Sequence, residues 1–265
     1  MSRIDALLPD VIAIAERAGR AILEVYHGEF EVEHKADDSP LTAADLAAHR
    51  VIAAGLRDLT PDWPQLSEEG ADIDAATRHV WSRYWLIDPL DGTKEFVKRN
   101  GQFTVNIALI EDSVPVLGVV HAPELDCTWS AAPRAGAAKR AADGSQRTLS
   151  VATVDPARPR VLVSSSHRTP DVDALLTRMP DFEPVAMGSS LKFCLIAEGE
   201  ADFYPRLGPT SEWDTGAAHA VLAAAGGEVV ELSGTPLRYN QRDSLLNPHF
   251  LAFGDTGHDW RQYLD

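Results

Sequence analysis

The chain has 265 residues, enough to bury a sizeable core as one large domain or two tightly packed halves. Its 24 Lys plus Arg stand against 40 Asp plus Glu, a formal charge of -16, which excludes a basic face for nucleic-acid polymers or anionic lipid; an anionic substrate would need positive charge supplied locally, most simply by bound cations. Cys127 and Cys194 form no zinc-type cluster and suit a reducing cytoplasm, the first ten residues lack a secretory apolar stretch, and no run approaches the roughly 20 apolar residues of an integral membrane segment.

From the N-terminus, Ile4, Leu7, Leu8, Val11, Ile12, Ala15, Ala18, Ile22, Leu23 and Val25 recur at helical spacing, which predicts an amphipathic helix over 4–26 that ends near Gly28. A second helix is expected over 42–59, with Asp45 in its first turn, where a carboxylate can serve exposed N–H groups as well as chemistry. Short strands follow at 65–66 and 84–87, then at 104–110, 114–121 and 127–131, joined by brief turns that argue an antiparallel meander. Residues 132–146 read as a surface hairpin and short connection. The run Asp155-Pro156-Ala157-Arg158-Pro159 interrupts the pattern and divides an N-terminal α+β half, 1–155, from a C-terminal half, 156–265, the two packing tightly as one functional unit. In the second half a strand is expected at 160–164, helices at 171–179 and 189–198, a strand at 201–205, and a helix at 213–225 closed by Gly226-Gly227, an α/β alternation.

Chemistry concentrates in Tyr84-Trp-Leu-Ile-Asp-Pro-Leu-Asp-Gly-Thr-Lys-Glu-Phe96, an apolar run that stops on Asp88 and Asp91. Two carboxylates crowded at a strand end repel each other and lose hydration, so a hard divalent cation between them is one expectation. The other is a loop: Asp-Pro and Asp-Gly are turn formers, and both carboxylates could satisfy backbone N–H groups. Further acids at the edges of apolar elements favour the cation: Asp45, Glu68-Glu69, and Asp214 within Glu212-Trp213-Asp214-Thr215-Gly216. Asp214 could equally cap the helix that follows it.

Glu68-Glu69, Asp88-Pro89-Leu90-Asp91-Gly92-Thr93 and Trp213-Asp214 resemble the three signatures of the lithium-sensitive, magnesium-dependent phosphatases typified by inositol monophosphatase. Asp91–Phe96, Arg99–Ile110 and Gly188-Ser189-Ser190-Leu191-Lys192-Phe193-Cys194 are similar to the branch of bacterial 3'(2'),5'-bisphosphate nucleotidases, and the likeness spans nearly the whole chain. The resemblance implies a five-layer αβαβα sandwich and two or three Mg2+ ions, with Mn2+ as a substitute. Glu68, Asp88 and the Leu90 carbonyl would hold the ion that binds the attacking water. Asp88, Asp91 and Asp214 would hold the ion beside the leaving oxygen, with a third near Glu68. Thr93 would take a proton from the water and pass one to Asp45, Glu68 assisting. Pro89 and Gly92 would make Asp-Pro-Leu-Asp-Gly a tight turn that offers the Leu90 carbonyl, and Gly92 with Thr93 would cradle phosphate oxygens.

A second phosphate on the substrate rewards further cations, which Lys192 and Arg206 supply unless both are solvated surface charges. By resemblance, Ser189 and Lys192 face the 5'-phosphate, His167 packs against adenine, and Arg206 orients the nucleotide. The expected activity is hydrolysis of adenosine 3',5'-bisphosphate (PAP) to AMP and phosphate, with the sulfated analogue PAPS as a further substrate. The alternatives are an inositol-1-phosphate or sugar phosphatase with the same metals and, from another class, a catalytically silent metal- or lithium-sensing regulator. The protein is expected to be cytoplasmic, as a monomer or homodimer; some relatives are described as peripheral at the cytoplasmic face of the inner membrane.

Overall fold

The structure is a computed structural model that describes residues 4–28, 32–34, 40–70, 72–163 and 169–264. The N-terminal half contributes α1 (Leu8–Tyr26), β1 (Val32–His34), β2 (Pro40–Thr42), α2 (Ala43–Leu59), β3 (Gln65–Ser67), α3 (Ala75–Arg78), β4 (Arg83–Asp91) and α4 (Thr93–Val97). It continues with β5 (Thr104–Glu111), β6 (Val114–Ala122), β7 (Cys127–Ala132), β8 (Gly136–Arg140) and β9 (Gln146–Thr148). Next come β10 (Arg160–Val163), α5 (Pro170–Arg178), β11 (Glu183–Ala186), α6 (Leu191–Ala197) and β12 (Phe203–Arg206). The chain closes with α7 (Gly216–Ala224), β13 (Glu228–Glu231) and β14 (Phe250–Phe253).

Strands β3 to β9 form one seven-stranded sheet in sequence order, parallel at β3–β4 and antiparallel from β4 onward, as the expected meander requires. The period-2 alternation of β4 sends Trp85 and Ile87 to the face covered by α1 and α2, while Tyr84 and Leu86 face α7. Helix α1 buries Val11, Ala15, Ala18 and Ile22, spaced three or four apart, with Ile14 beside them, on the same sheet face. A five-stranded sheet, β11-β10-β12-β14-β13, mixes parallel and antiparallel pairs.

Helices α6 and α7 lie between the two sheets, and one apolar cluster joins Leu86 and Val120 to Cys194, Leu222, Tyr204 and Ala252. That position explains why α7 is buried along Gly216–Leu222, with only Ala223 and Ala224 reaching solvent: a helix between two sheets has little solvent face. The far face of the second sheet is closed by α5 and the turn Trp260–Tyr263, with Val172, Leu175, Phe203 and Trp260 in the outer core. The layers therefore run helix, sheet, helix, sheet, helix. No helix among the described residues is long and apolar enough to cross a membrane, and Cys127 and Cys194 are free.

Several expected boundaries move. Residues 132–146 are no mere surface hairpin, because β8 and β9 extend the first sheet. Strands β11, β13 and β14 were not foreseen: β11 lies at an exposed edge with little burial pattern, and Phe250–Phe253 is too short an apolar run to distinguish strand from helix. Strand β4 does not stop at Ile87 but continues through Asp91. Helix α7 starts at Gly216 rather than 213, because Glu212–Thr215 form turns of their own.

Candidate active site

One cleft of about 470 Å³ gathers residues from both halves. Strand β4 brings Asp88 and Asp91, which on a regular strand would face opposite sides, being three residues apart. The register against β5 shifts between them: Asp88 pairs with Asn106 and Asp91 with Thr104, so one residue is extra on β4. This bulge holds Pro89, whose missing N–H then costs no ladder bond. As a result Asp88, Asp91 and Asp214 each place a carboxylate oxygen within 4.8 Å of the others.

The expected tight turn is thus a bulged strand, and the reversal comes one residue later. Gly92 has φ +90 and ψ 38, and a Cβ there would lie 3.0 Å from the Gln102 carbonyl oxygen and 3.3 Å from Phe103 Cα. Within the bulge the Leu90 N–H donates to Asp88 Oδ1 at 3.0 Å, and the Thr93 hydroxyl donates to the Leu90 carbonyl at 3.3 Å. Glu68 opens the turn after β3 and lines the cleft. Asp45, in the first turn of α2, is fully buried.

The second half fixes the remaining geometry. Asp91 Oδ2 accepts the Ser190 N–H at 2.6 Å, and the Ser190 hydroxyl bonds Thr104 and Asn106, the β5 partners of the two aspartates, at 2.8 Å each. Asp214 Oδ2 accepts the Thr210 hydroxyl at 2.7 Å and the Ser211 N–H at 2.9 Å. Asp214 does not cap α7, whose N-cap is Thr215 without a side-chain capping bond. Ser189 lines the cleft beside Gly92 with φ +45. His167 lies outside the described residues.

Lys192 is no solvated surface charge: it is 6% exposed and donates to the carbonyls of Ser189 at 2.8 Å and Met187 at 3.3 Å, with Nζ 5.4 Å from the Tyr204 ring centroid. Arg206 lines the same cleft and is braced by its bond to the Pro209 carbonyl. Burial pushes the Asp91 carboxyl up to about 7, with Asp214 adding repulsion and Lys192 opposing it. Burial also raises Asp88 well above the ordinary carboxylate range, reinforced by the charges of Glu68, Asp91, Asp214 and Asp45. Asp214 is raised by burial against the relief of its Thr210 and Ser211 bonds. Burial lowers Lys192 to about 8 although Asp91 pulls it upward. Acids that resist ionisation in one another's company suit a multivalent cation, which restores the charged form and releases protons as it binds. The oxygen-only set of three carboxylates matches a hard ion.

Sequence reading named the acids and missed their supports. Ser190, Thr210 and Ser211 act through one hydroxyl and two main-chain N–H groups, which composition does not mark. A signal was available at Thr210-Ser211-x-x-Asp214 spacing, where a carboxylate folds back on residues three and four before it.

The profile of the inositol monophosphatase family matches residues 5–258. The 3'(2'),5'-bisphosphate nucleotidase CysQ of Escherichia coli K12 is 51% identical over 246 residues, covering 92% of this chain and 98% of that protein. The protein of the same name from Haemophilus influenzae is 41% identical over 257 residues, covering 96% of this chain and 95% of its own. The crystal structure of CysQ from Bacteroides thetaiotaomicron, described as a bacterial member of the inositol monophosphatase family, superposes with a TM-score of 0.81 at 41% identity over 92% of this chain and 96% of that one. With its layered sandwich and converging carboxylates, this chain belongs to the inositol monophosphatase family of metal-dependent phosphatases.

Proposed function

We propose that the protein is a 3'(2'),5'-bisphosphate nucleotidase that removes the 3'-phosphate of adenosine 3',5'-bisphosphate to give AMP and phosphate, and that PAPS is a further substrate. The relatives of that name support this reading over most of their length. The observation that carries it is the pairing, in one cleft, of three convergent carboxylates with cationic side chains that include Lys192 and Arg206. A monophosphate needs only the first group, whereas a bisphosphate nucleotide uses both.

In this reading Glu68, Asp88, the Leu90 carbonyl, Asp91 and Asp214 hold Mg2+ ions, two or three in number, for which Mn2+ can substitute. When bound, such ions neutralise phosphate charge and lower the pKa of water. The chain's own residues do the rest. Thr93, whose bond to the Leu90 carbonyl is long at 3.3 Å, turns its hydroxyl to accept a proton from the attacking water and passes its own to Asp45, with Glu68 assisting. Water attacks phosphorus in line, the bond to the ribose 3'-oxygen breaks, and that oxygen leaves with the bonding pair and takes a proton from solvent water to become the alcohol. Gly92 and Thr93 border the 3'-phosphate, Ser189 and Lys192 face the 5'-phosphate, and Arg206 orients the nucleotide. The two halves, 1–155 and 156–265, act as one unit because each supplies part of the cleft.

The test is phosphate release by the purified full-length protein from PAP and from inositol 1-phosphate, each with magnesium. Faster turnover of PAP is expected. Preference for inositol phosphate would replace the nucleotide reading, and release from neither would leave a silent regulator.

A further inference from the structure

A second polar network lies beneath the cleft, and the chemistry above does not use it. Arg78, the last residue of α3, is 1% exposed. Its Nη1 donates to Asn240 Oδ1 at 2.6 Å, and its Nη2 donates to the carbonyls of Arg242, at 2.8 Å, and Asp243. The Asn240 amide returns a bond to the Arg78 carbonyl at 2.6 Å, so both the side chain and the main chain of residue 78 grip it. Asn240 has φ +56, a left-handed conformation that asparagine tolerates better than most residues. Held so, its main-chain N–H lies 2.9 Å from each oxygen of the Glu212 carboxylate.

Glu212 is 4% exposed and is tied along its main chain as well. Its N–H donates to the Leu245 carbonyl at 2.9 Å, and its own carbonyl accepts from the Gly216 N–H at 3.0 Å and the Thr215 hydroxyl at 3.0 Å. Asp214 sits between these anchors, two residues beyond Glu212. A loop gripped on both sides of one carboxylate has few ways to reorient it, and partners behind a metal ligand govern affinity through that orientation.

We propose that Arg78, Asn240 and Glu212 form a positioning tether that holds the Asp214 carboxylate in place against Asp88 and Asp91, so that a residue of the first half sets the divalent-cation affinity of the site. The tether rests on the reading that Asp214 holds a cation. Asn240→Gly preserves the left-handed backbone and its N–H but deletes the amide that Arg78 grips; Arg78→Lys keeps the charge and loses the planar fork.

The experiment is calorimetric titration of Mg2+ into the full chain without nucleotide, at a temperature well below each variant's melting point. Both variants are expected to bind Mg2+ roughly 10-fold to 100-fold more weakly than wild type while remaining folded. Glu212→Gln, which retains one acceptor for the Asn240 N–H, is expected to bind more tightly than Glu212→Ala. A network that merely stabilises the fold predicts lower melting temperatures with wild-type Mg2+ affinity, and that result overturns the tether. Asp214→Asn separates the two readings: unchanged Mg2+ affinity in this variant overturns the site assignment, whereas loss there with normal affinity in Asn240→Gly overturns the tether alone.

Discussion

Gly92→Ala is the most direct test of how the cleft is built. Its backbone has φ +90, so any Cβ costs about 1 kcal/mol for the left-handed conformation. The added carbon also meets the Gln102 carbonyl oxygen at 3.0 Å and Phe103 Cα at 3.3 Å, both main chain and unable to rotate away, which adds about 1 kcal/mol or more. A loss of about 2 kcal/mol corresponds to a fall of roughly 4–8 °C in melting temperature. Relief by backbone movement would displace Asp91 and Thr93, and a shift of about 1 Å in catalytic geometry can cost roughly 100-fold in rate. Gly136→Ala is the control. Gly136 has φ +69 with nothing within 4 Å of its missing Cβ, so it carries the conformational cost alone, about 2–4 °C, and no loss of rate. Melting curves and PAP turnover of both variants decide the matter: if Gly92→Ala melts like Gly136→Ala and turns over at the wild-type rate, the close packing of this turn has no bearing on catalysis.

Asp91→Asn removes one of three crowded carboxylates, so in chelator the variant is expected to melt above wild type while phosphate release with magnesium is abolished; retained release would refute the assignment of Asp91. Lys192→Met is expected to lower kcat/KM for PAP by about 10-fold to 100-fold while sparing an uncharged-ribose monophosphate, the value of one charge-assisted bond; equal losses on both substrates would place Lys192 away from the second phosphate. His219 is lowered to about 3 by burial, so its neutral form stabilises the fold fully above pH 6.5, and that contribution falls by about 1.4 kcal/mol per pH unit as pH drops from 6.5 toward 3. Denaturant titrations of His219→Gln should show a shallower loss over this window, and an identical slope would show that His219 does not drive it.

The parts of the molecule written as repeated or charged patterns were legible. Helices α1 and α2 and the meander β4 to β7 follow from apolar spacing, because each presents one face to a core and keeps its period along its length. The acids of the cleft were legible too, since a carboxylate at the end of an apolar run is costly without a partner. What escaped reading is carried by main-chain groups and distant contacts. No local feature of Ser190 announces that its N–H will meet Asp91, ninety-nine positions earlier, and no propensity marks Arg78 as the residue that grips Asn240. Strands β9 and β11, short and largely exposed, exist because neighbours offer hydrogen bonds and not because their own sequence demands extension.

The irregularity in β4 limits how this centre could be transplanted. Copying its aspartates at the same interval onto an even ribbon of another protein would point one acid at the recipient's interior and the other at its opposite surface. A designer must therefore borrow the extra residue along with the side chains, or else set the two acids two positions apart, where an even pleat already presents both on one side.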